Sequence, residues 1–229
     1  MAYHDDVIIN VSQPDKLDPK DGFVSVDIEY DREALFRSFM LDDKDEWWID
    51  AQETKTNTFL SHPIREKDFE RHDTLKQELD KIFAQLPDCF QNTIDGDSCI
   101  MHLEGAGTDL QIHTDGGGRD CVIVFPIYGK FMECATAFYH IPYEEGFQWE
   151  EDKMNDVASY DTAPRAYPMP RDFYDCTLSF TYDSPHILET QIPHDATNPS
   201  DSHKIIMNIR PNYQMSYKDV CEAMKSKIL

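Results

Sequence analysis

The chain has 229 residues with 44 acidic against 21 basic side chains, a net charge of −23, so long-range repulsion argues against nucleic acid or an anionic membrane as partner. That length is enough for one sizeable core, and a single domain over 1–229 is expected. The six cysteines, Cys89, Cys99, Cys121, Cys134, Cys176 and Cys221, are scattered without a C-x-x-C pair, which indicates neither a zinc knuckle nor a disulfide framework but small buried side chains in a reducing compartment.

The start, Met-Ala-Tyr-His-Asp-Asp, lacks the basic and apolar regions of a signal peptide, and no apolar run approaches the roughly 18 residues needed to span a bilayer. A cytoplasmic protein is expected. Residues 7–11 read as a short strand. Residues 23–30 alternate, with Val24, Val26, Ile28 and Tyr30 on one face and Ser25, Asp27 and Glu29 on the other, as in a half-buried antiparallel strand. Asp31 then caps a short helix whose Leu35, Phe36, Phe39 and Met40 form an apolar face. A second helix is expected over 74–86, with Leu75, Leu79, Ile82, Phe83 and Leu86 as its stripe, a Thr74 to Gln77 capping box, and Pro87 as its stop. Nothing in 1–97 carries chemistry, so this part reads as a mixed α/β buttress.

From Ser98 the pattern turns to strands, at 99–103, 110–115, 121–127, 135–141, 176–182, 187–192 and 204–209. Many short strands with Gly and Pro turns argue for an antiparallel sandwich or barrel, with 98–215 as its core. The acidic, aromatic stretch 143–175, with Trp149, Tyr160, Tyr167 and Phe173, is too long for a turn and is expected to cover a binding site or to stay without fixed structure. Ser216 to Asp219 opens a final helix within 216–229 that carries Val220 and Met224 on one face.

The chemistry concentrates at 105–118, Gly-Ala-Gly-Thr-Asp-Leu-Gln-Ile-His-Thr-Asp-Gly-Gly-Gly, where His113 and Asp115 stand two apart at the end of an apolar run. On a strand, residues i and i+2 face the same way, so the imidazole and the carboxylate converge on one point. They make two thirds of a facial triad of two His and one carboxylate, which suits Fe(II). A second His-x-Asp, at His4 and Asp6, lacks this context. The third ligand has candidates at His186, His194 and His203 in 185–209, while His102 and His203 read as core or surface histidines.

With these residues the sequence resembles the 2-oxoglutarate and Fe(II)-dependent oxygenases over roughly 98–210. The resemblance implies a double-stranded β-helix, a jelly-roll or cupin-like barrel with flanking helices, with iron near its mouth. It implies His113, Asp115 and His194 as metal ligands and catalytic centre, His194 standing within Pro-His-x-x-x-Asn. Lys204, ten residues on, falls where the family usually has an arginine for the distal carboxylate of 2-oxoglutarate, and Ile206 falls where a hydroxyl residue often assists. Lysine can serve as a point charge without a bidentate fork. Arg210, on the same strand face, remains the alternative anchor, His186 the alternative ligand, and Arg119 a candidate grip for an acidic substrate group.

The implied activity is a dioxygenase, most simply a hydroxylase of an amino-acid or peptidyl side chain, consuming 2-oxoglutarate and dioxygen and releasing succinate and carbon dioxide. Two other readings stay open: a cupin-like metalloenzyme that does not use 2-oxoglutarate, and a jelly-roll binding protein without catalysis.

Overall fold

A computed structural model describes residues 8–10, 22–40, 59–71, 73–90, 98–115, 120–141, 147–148, 165–167, 169–212 and 215–229. Fourteen short strands within them form two mainly antiparallel sheets, with few helices: β1 (Ile8–Asn10), β2 (Phe23–Ser25), β3 (Phe59–Pro63), β4 (Cys99–Glu104), β5 (Thr108–Asp109), β6 (His113–Thr114), β7 (Cys121–Tyr128), β8 (Ala135–His140), β9 (Phe147–Gln148), β10 (Arg165–Ala166), β11 (Asp175–Thr181), β12 (His186–Glu189), β13 (His194–Asn198) and β14 (Lys204–Ile209). One sheet runs β2-β12-β7-β14-β4-β3; the other runs β1-β11-β8-β13-β6-β10-β9, with β5 also on β13. This β-rich, jelly-roll-like layout is the fold class that the alternation of short strands and turns leads one to expect.

The six-stranded sheet is buried on both faces, which explains why its strands read as nearly continuous apolar runs. Cys99, Met101 and Leu103 of β4, Ile123 and Phe125 of β7, and Ile205, Met207 and Ile209 of β14 point to one side. There they pack under α1 (Arg32–Met40) and α3 (Asp73–Phe83) through Leu35, Leu75, Leu79 and Ile82, each fully buried. The opposite side of the sheet meets the second sheet through Val122, Val124, Leu188 and Ile206 against Phe138, Leu178 and Phe180. The functional cavity opens within this inter-sheet layer.

Several local expectations are corrected. Only Phe23–Ser25 of the 23–30 segment is ladder-bonded as a strand, and Phe23 and Ser25 are buried along with Val24, because β2 lies at a sheet edge covered on both sides. The second helix starts at Asp73, directly after α2 (Glu66–Arg71), so Thr74 lies inside it instead of capping it. Residues 110–112 are not ladder-bonded; strand pairing resumes at His113. The segment His194–Asn198, unassigned in the pattern because its side chains are polar, is a central strand of its sheet. Most of 143–164 lies outside the described residues, as do Trp47, Trp48, Trp149 and Arg119. Ser216 caps α4 (Tyr217–Ala223) with its hydroxyl accepting from the Asp219 amide at 3.2 Å, the reciprocal box that the sequence suggests. Four cysteines are buried, Cys89 is half-buried and Cys176 exposed, and all are free. Among the described residues, no helix is long and apolar enough to cross a membrane.

One polar side chain fastens the loops beside the cavity. Asn198 is fully buried and donates from Nδ2 to the carbonyls of Glu104, Gly105 and Ser202 at 3.1, 3.0 and 2.9 Å, while its Oδ1 accepts from the Ser200 hydroxyl at 2.6 Å. It therefore ties the end of β4 to the β13–β14 connection. Replacing it strands these partners in a buried site, so Asn198→Ala is expected to cost about 2–4 kcal/mol in denaturant unfolding. Asn198→Asp keeps the shape but loses the donors, and should cost nearly as much if hydrogen bonding and not packing is responsible.

Candidate metal centre and its cavity

β6 and β13 pair antiparallel with His194 opposite His113, and the two ring centroids lie 4.6 Å apart. Asp115 follows His113 by two residues, as the strand period requires for a shared face. Its position is fixed by its amide donating to Thr190 O at 3.0 Å and by Gln191 Nε2 donating to its carbonyl at 2.9 Å. One ligand atom from each of His113, Asp115 and His194 lies within 4.8 Å of the others. His113 Nε2 stands 3.8 Å from Asp115 Oδ1. A candidate metal site thus exists at this point.

The imidazoles are aimed by their own backbone. His113 Nδ1 meets Gln111 O at 2.8 Å, and His194 Nδ1 meets Ile192 O at 2.8 Å. A carbonyl can only accept, so each Nδ1 carries the proton and each Nε2 keeps a lone pair, the tautomer that ligates a cation. Burial pushes His194 down to about 4, and the neighbouring His113 adds to this. Burial would raise the Asp115 carboxyl, but Arg210 and then His194, His113 and His102 outweigh it and hold it below the usual carboxylate range. Two neutral imidazoles and one carboxylate fit a divalent ion.

The triad opens onto a cavity of about 360 Å³ between the sheets. Arg210 lines it at the triad end, with Nη2 3.5 Å from Asp115 Oδ2. His102 also lines it; its Nδ1 hydrogen-bonds the Ser61 hydroxyl at 2.8 Å, and burial, aided by Arg210, pushes it down to about 3. Three other sequence candidates, His186, His203 and Lys204, are not among the grouped ligands, although His186 lines the cavity. His186 is enclosed by Phe23 and Tyr182, with ring centroids 4.7 and 4.1 Å away, and is not part of the three-ligand group. Lys204 is not an open cation awaiting a ligand: it is 1% exposed, does not line the cavity, and pairs at 2.6 Å with Glu104, also 1% exposed, which does. Burial alone would lower the Lys204 ammonium, but the Glu104 carboxylate more than offsets it and holds the lysine above its ordinary value.

Three groups around the site escaped the sequence reading. Glu104 continues the i, i+2 series Ile100, His102, Glu104 down the inner face of β4, the same signal that marks His113 and Asp115, hidden here at the end of an apolar run. Tyr182 and Thr136 line the cavity beside Lys204 and Glu104, hydrogen-bonded to each other; burial pushes the Tyr182 phenol up to about 12. Asp195, next to His194 but on the opposite strand face, accepts from Tyr139 Oη at 2.6 Å and Ala137 N at 3.2 Å and pairs with Arg171. No local motif signals that network, because Asp195 lies 24 to 58 residues in sequence from its partners.

No protein-family model matches the chain, and no curated protein matches it. Solved structures that resemble it include E. coli ycfD, at 14% identity and a TM-score of 0.40 over 70% of this chain and 36% of that one, so that this chain spans about a third of ycfD. They also include the non-heme alpha ketoglutarate dependent carbocyclase SnoK from nogalamycin biosynthesis, at 11% identity, TM-score 0.41, 83% and 79% coverage. HygX from Streptomyces hygroscopicus, solved with nickel and 2-oxoglutarate bound, overlaps at 8% identity, TM-score 0.41, 86% and 85% coverage. Overlaps this loose carry no weight beside the geometry of the site.

Removing a ligand should empty the centre without unfolding the chain, since His113 and Asp115 are only partly buried. His113→Ala, Asp115→Ala and His194→Ala are each expected to lose stoichiometric divalent metal while His186→Ala retains it, as read by metal content alongside circular dichroism. The reverse pattern would move the centre to His186.

His186 carries a separate expectation about acid stability. Burial holds it down at about 3, against about 6.5 in the unfolded chain, so below pH 6.5 the unfolded state takes up a proton that the folded state refuses. Stability from this residue is present above pH 6.5 and is lost as pH falls toward 3, about 2 kcal/mol of it between pH 7 and pH 5. His186→Phe should remove that slope, measured as the difference in unfolding free energy at the two pH values.

Proposed function

We propose that this protein is a non-haem Fe(II) and 2-oxoglutarate-dependent dioxygenase that hydroxylates a small-molecule, amino-acid or peptidyl side chain, with release of succinate and carbon dioxide. The observation that carries this reading is the convergence of His113, Asp115 and His194 in a cavity between the sheets, with both imidazole tautomers fixed for ligation. A double-stranded β-helix is the barrel form of the fold that goes with it.

His113, Asp115 and His194 would hold the ion, and three protein ligands would leave it able to take a chelating 2-oxo acid as well. Bound Fe(II) would supply the coupling of dioxygen activation to oxidative decarboxylation of that acid. The chain's own residues do the rest. Gln111 O and Ile192 O hold the proton on each Nδ1, so that in the neutral ring the Nε2 lone pair is the one turned to ligation. Arg210 keeps Asp115 ionised and restrains its outer oxygen. Val122, Val124, Leu188 and Ile206 line the cavity between the triad and its polar far end, and exclude water from the space where a substrate C–H bond would lie. Two cations remain as candidates to draw the cosubstrate's distal carboxylate: Lys204, which stands behind Glu104, and Arg210, which lines the cavity closer to the triad.

The Lys204–Glu104 pair also supports a second reading, since a lysine whose charge is already matched has less need of a ligand carboxylate. That reading is a cupin-like metalloenzyme acting without 2-oxoglutarate, and it yields no succinate. One titration separates them. Anaerobic addition of Fe(II) and then 2-oxoglutarate is expected to give the weak visible charge-transfer band of the chelate; stoichiometric metal without the band favours the second reading, and absence of stoichiometric metal removes both.

A further inference from the structure

Antiparallel register sets Lys204 of β14 directly across from Glu104 of β4, and their side chains meet at 2.6 Å with 1% exposure each. The acid fronts the cavity and the lysine stands behind it. Neither partner has room to leave easily. Asn198 holds the backbone carbonyl of Glu104, and a Cβ on Gly129 would lie 2.9 Å from Lys204 Cα, so the turn after β7 presses on the lysine backbone. Whatever reaches this end of the cavity from the triad therefore meets the Glu104 carboxylate, with the hydrogen-bonded Thr136 and Tyr182 hydroxyls beside it and the Lys204 ammonium behind it.

We propose that Glu104 is a specificity-determining residue for the cosubstrate: by holding Lys204 it makes the far end of the cavity accept 2-oxo acids with a neutral hydrogen-bonding tail about as well as the dianionic 2-oxoglutarate. The inference rests on the reading that a 2-oxo acid chelates at the triad. A tail carboxylate brings a second negative charge beside Glu104 in an enclosed site, where like charges repel far more than in water. A tail amide instead offers its NH2 to the Glu104 carboxylate and its carbonyl to the Thr136 and Tyr182 hydroxyls, so Glu104 stays matched by Lys204 behind it. Glu104→Gln removes the repulsion and leaves Lys204 as an uncompensated cation, which restores the preference for a carboxylate.

The test is calorimetric binding of 2-oxoglutarate and its 5-amide, 2-oxoglutaramate, to the full chain loaded with Mn(II) in the absence of oxygen, in wild type and in Glu104→Gln. The wild type is expected to bind the two acids within about tenfold of each other, and the variant to shift the ratio toward 2-oxoglutarate by roughly tenfold or more, about 1.4 kcal/mol. Comparing two ligands on the same protein cancels any general loosening that the substitution causes. An unchanged ratio in a folded Glu104→Gln variant overturns the proposal. So does a wild-type preference for 2-oxoglutarate of about a hundredfold or more, which needs no variant. If the metal-loaded wild type binds neither acid, the 2-oxo acid reading itself falls and takes this inference with it.

Discussion

Everything at the site depends on the register of one polar strand. β13 is shared by β6 and β8, with His194 opposite both His113 and Phe138, and a slip of one residue would turn His194 away from the cavity and put Asp195 in its place. An alternating apolar pattern usually prevents such slips, but His194–Asn198 has only Ala196 as an apolar side chain. Here the register is held by polar contacts on the outer face and at the strand end. Asp195 accepts from Tyr139 Oη and Ala137 N and pairs with Arg171, and Asn198 gathers three backbone carbonyls. Each of these partners would be left buried without a hydrogen bond in the slipped state, which makes the wrong register expensive.

The same division of labour explains what the sequence showed and what it hid. Strands with an apolar face, such as Cys121–Tyr128 and Lys204–Ile209, were legible within a residue or two because burial imposes a pattern on them. The His-x-Asp pair was legible because strand geometry alone brings i and i+2 together. His194–Asn198 was not, since most of the contacts that hold it come from partners 24 to 94 residues distant and leave no local trace. The 23–30 segment was legible in part: Val24, Val26 and Ile28 are buried and Asp27 and Glu29 exposed as its alternation implies, while only Phe23–Ser25 pairs as a strand and Ser25 is covered as well.

Lys204 shows where spacing and environment part company. Its distance from His194 in sequence is what the family resemblance asks of a cosubstrate anchor, yet the register of β4 places a carboxylate directly opposite it. A buried cation needs a compensating charge at all times, not only when a ligand is present. This gives Lys204 a structural duty that is independent of any binding role: truncating it would strand Glu104 in the low-dielectric layer between the sheets. A loss of function in such a variant would therefore report on folding as much as on recognition.

Of the features described, the backbone carbonyls that aim the imidazoles have the widest consequence. His113, His194 and also His186 each address the carbonyl two residues upstream in their own strand segment. Because a peptide oxygen is present whatever the side chain, the identities of residues 111 and 192 are free to drift without disturbing the ligating nitrogens. The lining of the cavity can then be recut while the geometry of the candidate metal site persists unchanged. What that site will not tolerate is a bend in the main chain that swings those oxygens away.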